Sequence, residues 1–187
     1  MGPGGRGGDG RGPDAHGPAS AQDAAPSAPR AADIPFPADE AGRSGLDLLR
    51  DVAAGRRPGA PIAATMGFAL LAVEDGRVTF EGASRPDHAN PFGATHGGWY
   101  GVLLDSCMGC AVMSRLPAGR GYVTLEYKVN LVRALPFGTR VLATGIADHA
   151  GRTTAVAHGE IRGAEDGRLY ATGTTTCLVF PARTAPA

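Results

Sequence analysis

Residues 97–114 read GGWYGVLLDSCMGCAVMS. Across these 18 positions the only charged side chain is Asp105, set among Leu, Val, Met, Cys, Ala and small residues. A helix that is apolar on nearly every face is a buried one. The stretch therefore predicts a long central helix, and the rest of the chain must supply the surface that covers it.

Strand-like runs lie on both sides. Upstream, residues 67–74 and 77–83 flank Asp75-Gly76, a dipeptide suited to a two-residue hairpin turn. Downstream, beyond Pro117 and Gly119, residues 122–132, 139–148, 153–162 and 168–180 read as four strands. Ala150-Gly151 and Asp166-Gly167 mark turns between the last three. In the third strand Val123, Leu125, Tyr127, Val129 and Leu131 alternate with Thr124, Glu126, Lys128 and Asn130, which predicts one buried face and one wetter face. Ahead of the hairpin, Leu46, Leu48, Leu49, Val52 and Ala53 fall on one helical face, closed by Gly55 and Pro58. The expected fold is α+β: a six-stranded antiparallel sheet wrapped around one long helix.

Residues 1–45 hold ten Gly and seven Pro, with Ile34 and Phe36 as the only large apolar side chains besides Met1. That is too little apolar surface to offset the entropy of ordering, so a disordered tail is expected there and a folded domain over 46–182. Lys+Arg and Asp+Glu both total 18, giving no net charge and no basic excess to neutralise a run of phosphates. Nucleic acid is thereby set aside as the main partner. No uncharged stretch is long enough to span a bilayer, the first residues lack the apolar core of a secretory signal, and three cysteines make no disulfide framework. A cytoplasmic protein with no membrane partner is expected.

An ionised carboxylate inside an apolar helix costs several kcal/mol, on the order seen for buried charges, unless it is paired or hydrogen-bonded. Asp105 is thus either tied to a neighbouring group or functional, and its surroundings favour function. The loop from Asn90 to Gly98 delivers His96, Gly97 and Gly98 to the helix start, where unpaired N–H groups meet the positive dipole end. Glycine lets a carbonyl approach closely, so the Gly97 N–H is a candidate oxyanion donor; a glycine-rich helix entry with no ligand is the plain alternative. Gly97 and Asp105 are eight residues apart, about 12 Å along a helix, too far for one carbonyl to touch both. If both serve one reaction, the donor comes from one subunit and the carboxylate from its partner.

Cys107-x2-Cys110 lies ten residues into the helix, away from the N-terminal position that activates a thiol, and reads as a buried, inert pair. His88, His149 and His158 are expected at surface or edge positions, and His16 falls in the tail. For a phosphate-bearing substrate, Arg133 is the leading cation, with Arg115 and Arg152 competing.

The combination Asn90-x5-His96-Gly97-Gly98-x6-Asp105 resembles the signature of the PaaI-like acyl-CoA thioesterases of the hot-dog superfamily, and the likeness extends from about Ile62 to Phe180. The resemblance implies a hot-dog domain acting as a homodimer or dimer of dimers on an acyl- or aryl-CoA thioester, with neither metal nor cofactor. It implies Asp105 as nucleophile or general base and the Gly97 N–H as oxyanion donor. Asn90 would position the nucleophile or water across the interface, and His96 would orient the carbonyl or the loop. Thr124, where the family has Ser or Thr, would hold the attacking water. Gly98, Trp99 and Arg133 are the candidate substrate contacts.

Trp99-Tyr100 departs from the smaller aliphatic residues of that family; the rings either reshape the acyl pocket or pack at a subunit interface. Two other functions fit the same fold: a non-catalytic acyl-CoA-binding protein, and an enoyl-CoA hydratase or dehydratase. The second would need a histidine beside the carboxylate, and the helix supplies none.

Overall fold

The computed structural model describes residues 42–182. The tail expected over 1–45 therefore lies outside the described residues except for its last four, and the first helix already begins at Gly45. Helix α1 (Gly45–Ala53) opens on Ser44, whose hydroxyl accepts from the Asp47 N–H at 3.2 Å. A short helix, α2 (Pro61–Met66), follows with Pro61 in its first turn and Gly67 left-handed at its end. Its six residues are too few to show a period in the sequence.

The hairpin β1 (Phe68–Glu74) and β2 (Arg77–Ala83) turns at Asp75-Gly76 as expected, and a single 3-10 turn covers Pro86–His88. Helix α3 (Gly97–Ser114) occupies the residues read from sequence. Then come β3 (Arg120–Leu131), β4 (Arg140–Ala150), β5 (Thr154–Gly163) and β6 (Leu169–Pro181). All six strands form one antiparallel sheet in the order β1-β2-β4-β5-β6-β3, which leaves β3 at an edge.

The sheet curls over α3, burying Trp99, Leu103, Leu104, Cys107, Met108, Ala111 and Val112 against Val78, Val141, Ala143, Ala157 and Ile161. Three glycines seat the helix. Gly145, Gly159 and Gly173 stand abreast on β4, β5 and β6, forming a trough across the sheet. A Cβ on Gly145 would run into the Cys107 carbonyl, and Cβ atoms on Gly159 and Gly173 would meet Met108.

The alternation expected for β3 holds only in part. The pairing with β6 slips between Thr124 and Glu126, so Leu125 is an extra residue and the facing reverses there. Before the bulge, Tyr122 and Thr124 oppose the inward Val179 and Cys177; after it, Tyr127, Val129 and Leu131 oppose the inward Thr175, Gly173 and Ala171. Val123 and Leu125, expected to be buried, are 48% and 58% exposed on the outer side, and Tyr127 and Leu131, also expected to be buried, are exposed at the sheet edge. Thr124, expected on the wetter face, points at the helix.

Candidate active site

Every fourth residue of α3 from its start, Gly97, Gly101, Asp105 and Gly109, lies on the helix face turned to β3. The three glycines let the edge strand come close: Cβ atoms there would meet Leu131, the Tyr127 ring and the Tyr122 hydroxyl, respectively. In the remaining place Asp105, half-buried, receives a hydrogen bond from the Thr124 hydroxyl to its Oδ1 at 2.9 Å. This leaves Oδ2 without a partner among the described residues. The bulge at Leu125 is what brings Thr124 onto this face.

The other half of the candidate site is built at the start of α3. His96 caps the helix, its Nδ1 accepting from the Gly98 N–H at 2.8 Å. In the neutral ring the proton then sits on the exposed Nε2, a donor facing outward. The Gly97 N–H meets no acceptor among the described residues and projects from the positive end of the helix dipole. Asn90 holds the preceding loop in shape: its Oδ1 accepts from the N–H groups of Phe92 at 2.9 Å and Ala94 at 3.1 Å. Only its amide nitrogen remains for a ligand. Below the loop, the Thr95 hydroxyl bonds Ser84 at 2.7 Å and the Leu135 carbonyl at 2.8 Å, anchoring the entry to the core.

Asn90, His96, Gly97 and Gly98 are thus assembled at one end of α3, and Asp105 and Thr124 at its middle. The two groups are separated by about 12 Å, two turns of helix.

Trp99 belongs to the support of the site rather than to its surface. It is 1% exposed, donates from Nε1 to the Met66 carbonyl at 2.8 Å and stacks on His88. A direct contact between its ring and a substrate does not fit this placement. His88, expected near the surface, is drawn in by that stacking: its side chain is only 7% exposed and its Nδ1 accepts from the Arg85 N–H. Tyr100 ties the loop after β3 to the helix, its hydroxyl accepting from the Leu135 N–H at 2.8 Å and donating to the Arg133 carbonyl at 3.3 Å.

Arg133 itself is exposed just past the end of β3. Arg115, its competitor, is paired with Asp75 at 3.5 Å. His158 bonds Asp148 at 2.8 Å, outside this region. Burial pushes the Cys107 thiol far up and the Cys110 thiol up to about 12, so neither is a nucleophile at neutral pH.

The family model of the thioesterase superfamily matches residues 92–170, from the loop before α3 to the start of β6. No curated protein matches the sequence. Among solved structures, a thioesterase family protein from Silicibacter pomeroyi is 26% identical with a TM-score of 0.63, the match covering 71% of this chain and 98% of that one. A mutant of the phenylacetic acid degradation protein PaaI from Thermus thermophilus is 29% identical with a TM-score of 0.58, covering 64% of this chain and 98% of that one. A hypothetical thioesterase protein from Streptococcus pneumoniae, solved with coenzyme A, is 28% identical with a TM-score of 0.59, covering 66% and 93%. The long helix wrapped by a six-stranded antiparallel sheet is the hot-dog architecture, and the chain belongs to the thioesterase superfamily. Within that superfamily it is PaaI-like.

Proposed function

We propose that the protein is an acyl-CoA thioesterase that hydrolyses an acyl- or aryl-CoA thioester to the free acid and CoA, at a site shared by two copies of the chain. The observation that carries this reading is the Asp105 carboxylate, set on a buried helix, oriented by Thr124 and opening toward the edge strand. The coenzyme A bound to the similar Streptococcus pneumoniae protein supports the substrate class.

In this reading the thioester carbonyl oxygen sits on the Gly97 N–H, aided by the His96 Nε2–H. The carboxylate of the partner's helix acts from the other side, as base or as nucleophile. As base, it takes a proton from a water that the Thr124 oxygen also holds, since that oxygen can still accept a hydrogen bond while its proton lies on Asp105. Water adds to the carbonyl carbon and the negative charge gathers on the oxygen facing Gly97. Collapse breaks the carbon–sulfur bond, and the departing thiolate recovers the proton, leaving acid and CoA-SH. The Asn90 amide N–H groups position the water or nucleophile, Gly98 admits the thioester close to the backbone, and Arg133 meets a CoA phosphate.

The two half-sites demand a homodimer, alone or paired into a dimer of dimers. The surface that would close it is the β3 edge, where Val123, Leu125, Tyr127, Leu131 and Val132 are all exposed along the side of the strand that pairs with no other among the described residues. Thiol release from a panel of acyl-CoA substrates by wild type and Asp105→Asn tests the reading. Turnover that collapses in the variant is expected; no release from any member of the panel, or equal release by both proteins, would overturn it.

A further inference from the structure

Gly109 is an unfavourable choice inside a long helix, where glycine costs about 1 kcal/mol relative to alanine. Its place is explained by Tyr122. A Cβ on Gly109 would lie 2.6 Å from the Tyr122 hydroxyl oxygen and 3.1 Å from the ring edge, so the helix backbone is kept bare to admit the end of this phenol. The hydroxyl makes no hydrogen bond among the described residues, although none of their fully enclosed side-chain polar atoms lacks a partner. Its oxygen therefore keeps some exposed surface beside the helix rather than being fully sealed in the core.

Gly109, with the Tyr122 hydroxyl over it, lies one helical turn, about 5.4 Å, from Asp105 on the same face of α3. Burial first, and then the neighbouring Cys110, Asp105 and Cys177, hold the phenol well above its ordinary pKa, which keeps it a neutral donor at physiological pH. Nothing in the hydrolysis itself engages it.

Resting on the thioesterase reading, we infer that Tyr122 is a specificity-determining residue whose hydroxyl receives an oxygen carried by the acyl group about one helical turn from the thioester carbon. The charged CoA portion must remain toward solvent, so the helix-facing side of β3 is left to the acyl portion. A donor waiting at its far end favours an acyl group with an oxo or hydroxyl oxygen near the fifth carbon over the plain hydrocarbon. A site built around a hydrogen bond discriminates against an analogue lacking that atom more strongly than an apolar pocket discriminates by size.

The test compares hexanoyl-CoA with 5-oxohexanoyl-CoA by thiol release, in wild type, Tyr122→Phe and Gly109→Ala. Wild type is expected to prefer the oxo substrate about ten-fold or more in kcat/KM, on the scale of one hydrogen bond left unmade. Tyr122→Phe removes the donor and Gly109→Ala displaces it, and both are expected to bring the ratio close to one. No preference in wild type, or an undiminished preference in Tyr122→Phe, overturns the inference. Binding of both ligands to Asp105→Asn and to Asp105→Asn/Tyr122→Phe, followed by calorimetry, separates this inference from the thioesterase reading. A Tyr122-dependent preference in Kd without turnover in wild type keeps the inference and rejects hydrolysis. Failure of either ligand to bind rejects the inference as well.

Discussion

The Thr124 hydroxyl donates to Asp105 Oδ1 at 2.9 Å across the seam between α3 and the edge strand β3. A β-bulge at Leu125 makes this contact possible, because without it the even-numbered residues beyond and before position 125 would share one facing. The hydroxyl fixes one oxygen of the carboxylate and leaves the other without a partner among the described residues. Thr124→Val keeps the shape and removes the donor, so kcat is expected to fall about 10- to 100-fold, at or below the range for a positioned acid or base. Thr124→Ser should recover most of the loss, and unchanged melting temperatures would locate the effect in the site rather than in the fold.

A shared site makes a sharper demand. Gly97 occupies the first position of α3, where proline is tolerated because the N–H has no intrahelical acceptor. Gly97→Pro thus deletes the proposed oxyanion donor with little disturbance of the helix, and a loss of about 100- to 1,000-fold in kcat is expected. Mixed after unfolding and refolding with Asp105→Asn protein, itself inactive, it should regain about a quarter of wild-type activity, since half the dimers are mixed and each has one intact site. A site complete within one chain would regain nothing.

The edge strand is the surface proposed to carry that assembly. Leu125 is 58% exposed on the bulge, and a lysine there places a charge on the surface proposed to pair. Leu125→Lys is expected to shift the sedimentation profile toward a single chain at low micromolar concentration and to abolish activity with it. A variant that remains assembled, or a single chain that stays active, would remove the interface assignment.

Much of this was legible from residue type and spacing. The 18 residues of α3 announced a buried helix by their uniform apolarity, and Asp75-Gly76 announced the hairpin by its turn chemistry. Asp105 stood out because a lone charge in such a helix needs a reason. What the sequence did not show was the parity of β3: a bulge leaves no mark on an alternating pattern that is apolar at odd positions on both sides of it. Trp99 was misplaced for a related reason. Its partners, the Met66 carbonyl and the His88 ring, are distant in sequence and belong to a helix and a turn too short to predict. A further signal is the four-residue repeat Gly97, Gly101, Asp105, Gly109, which places the carboxylate on the face where the edge strand β3 comes close to the helix.

Buried acids make the fold sensitive to alkali. The Cys110 thiol is held up to about 12 by burial and by Asp105, whereas in the unfolded chain it ionises at about 8.5. Between those values the unfolded chain has lost the proton that the folded chain keeps, so stability is fully present below pH 8.5 and declines as pH rises toward 12. Cys107 and Tyr122, both also pushed up by burial, act in the same direction. Denaturant midpoints measured from pH 7 to 11 should fall across this window, and Cys110→Ala should flatten part of the slope. A thiol reagent at pH 8 should leave Cys107 untouched until the protein unfolds.

The glycine trough under α3 supplies the last test, and it separates packing from chemistry. Gly145 lies on β4 against the Cys107 carbonyl, a backbone atom that cannot rotate away as a side chain could. Gly145→Ala must therefore displace the helix or the strand, and a loss of about 1 to 3 kcal/mol is expected, the range for overpacked cores. A Cβ on Gly173 would meet the Lys128 carbonyl oxygen and the flexible ends of Met108 and Leu104 at 3.2 to 3.3 Å, a tight fit rather than the clash at Gly145, so Gly173→Ala should cost less. Because α3 carries both proposed half-sites, a shift at Cys107 reaches Asp105 two residues away. Gly145→Ala should then lower kcat as well as the melting temperature, while Gly173→Ala lowers at most the latter. Equal effects of the two substitutions in thermal melts would mean that the helix is not seated on the sheet at this point.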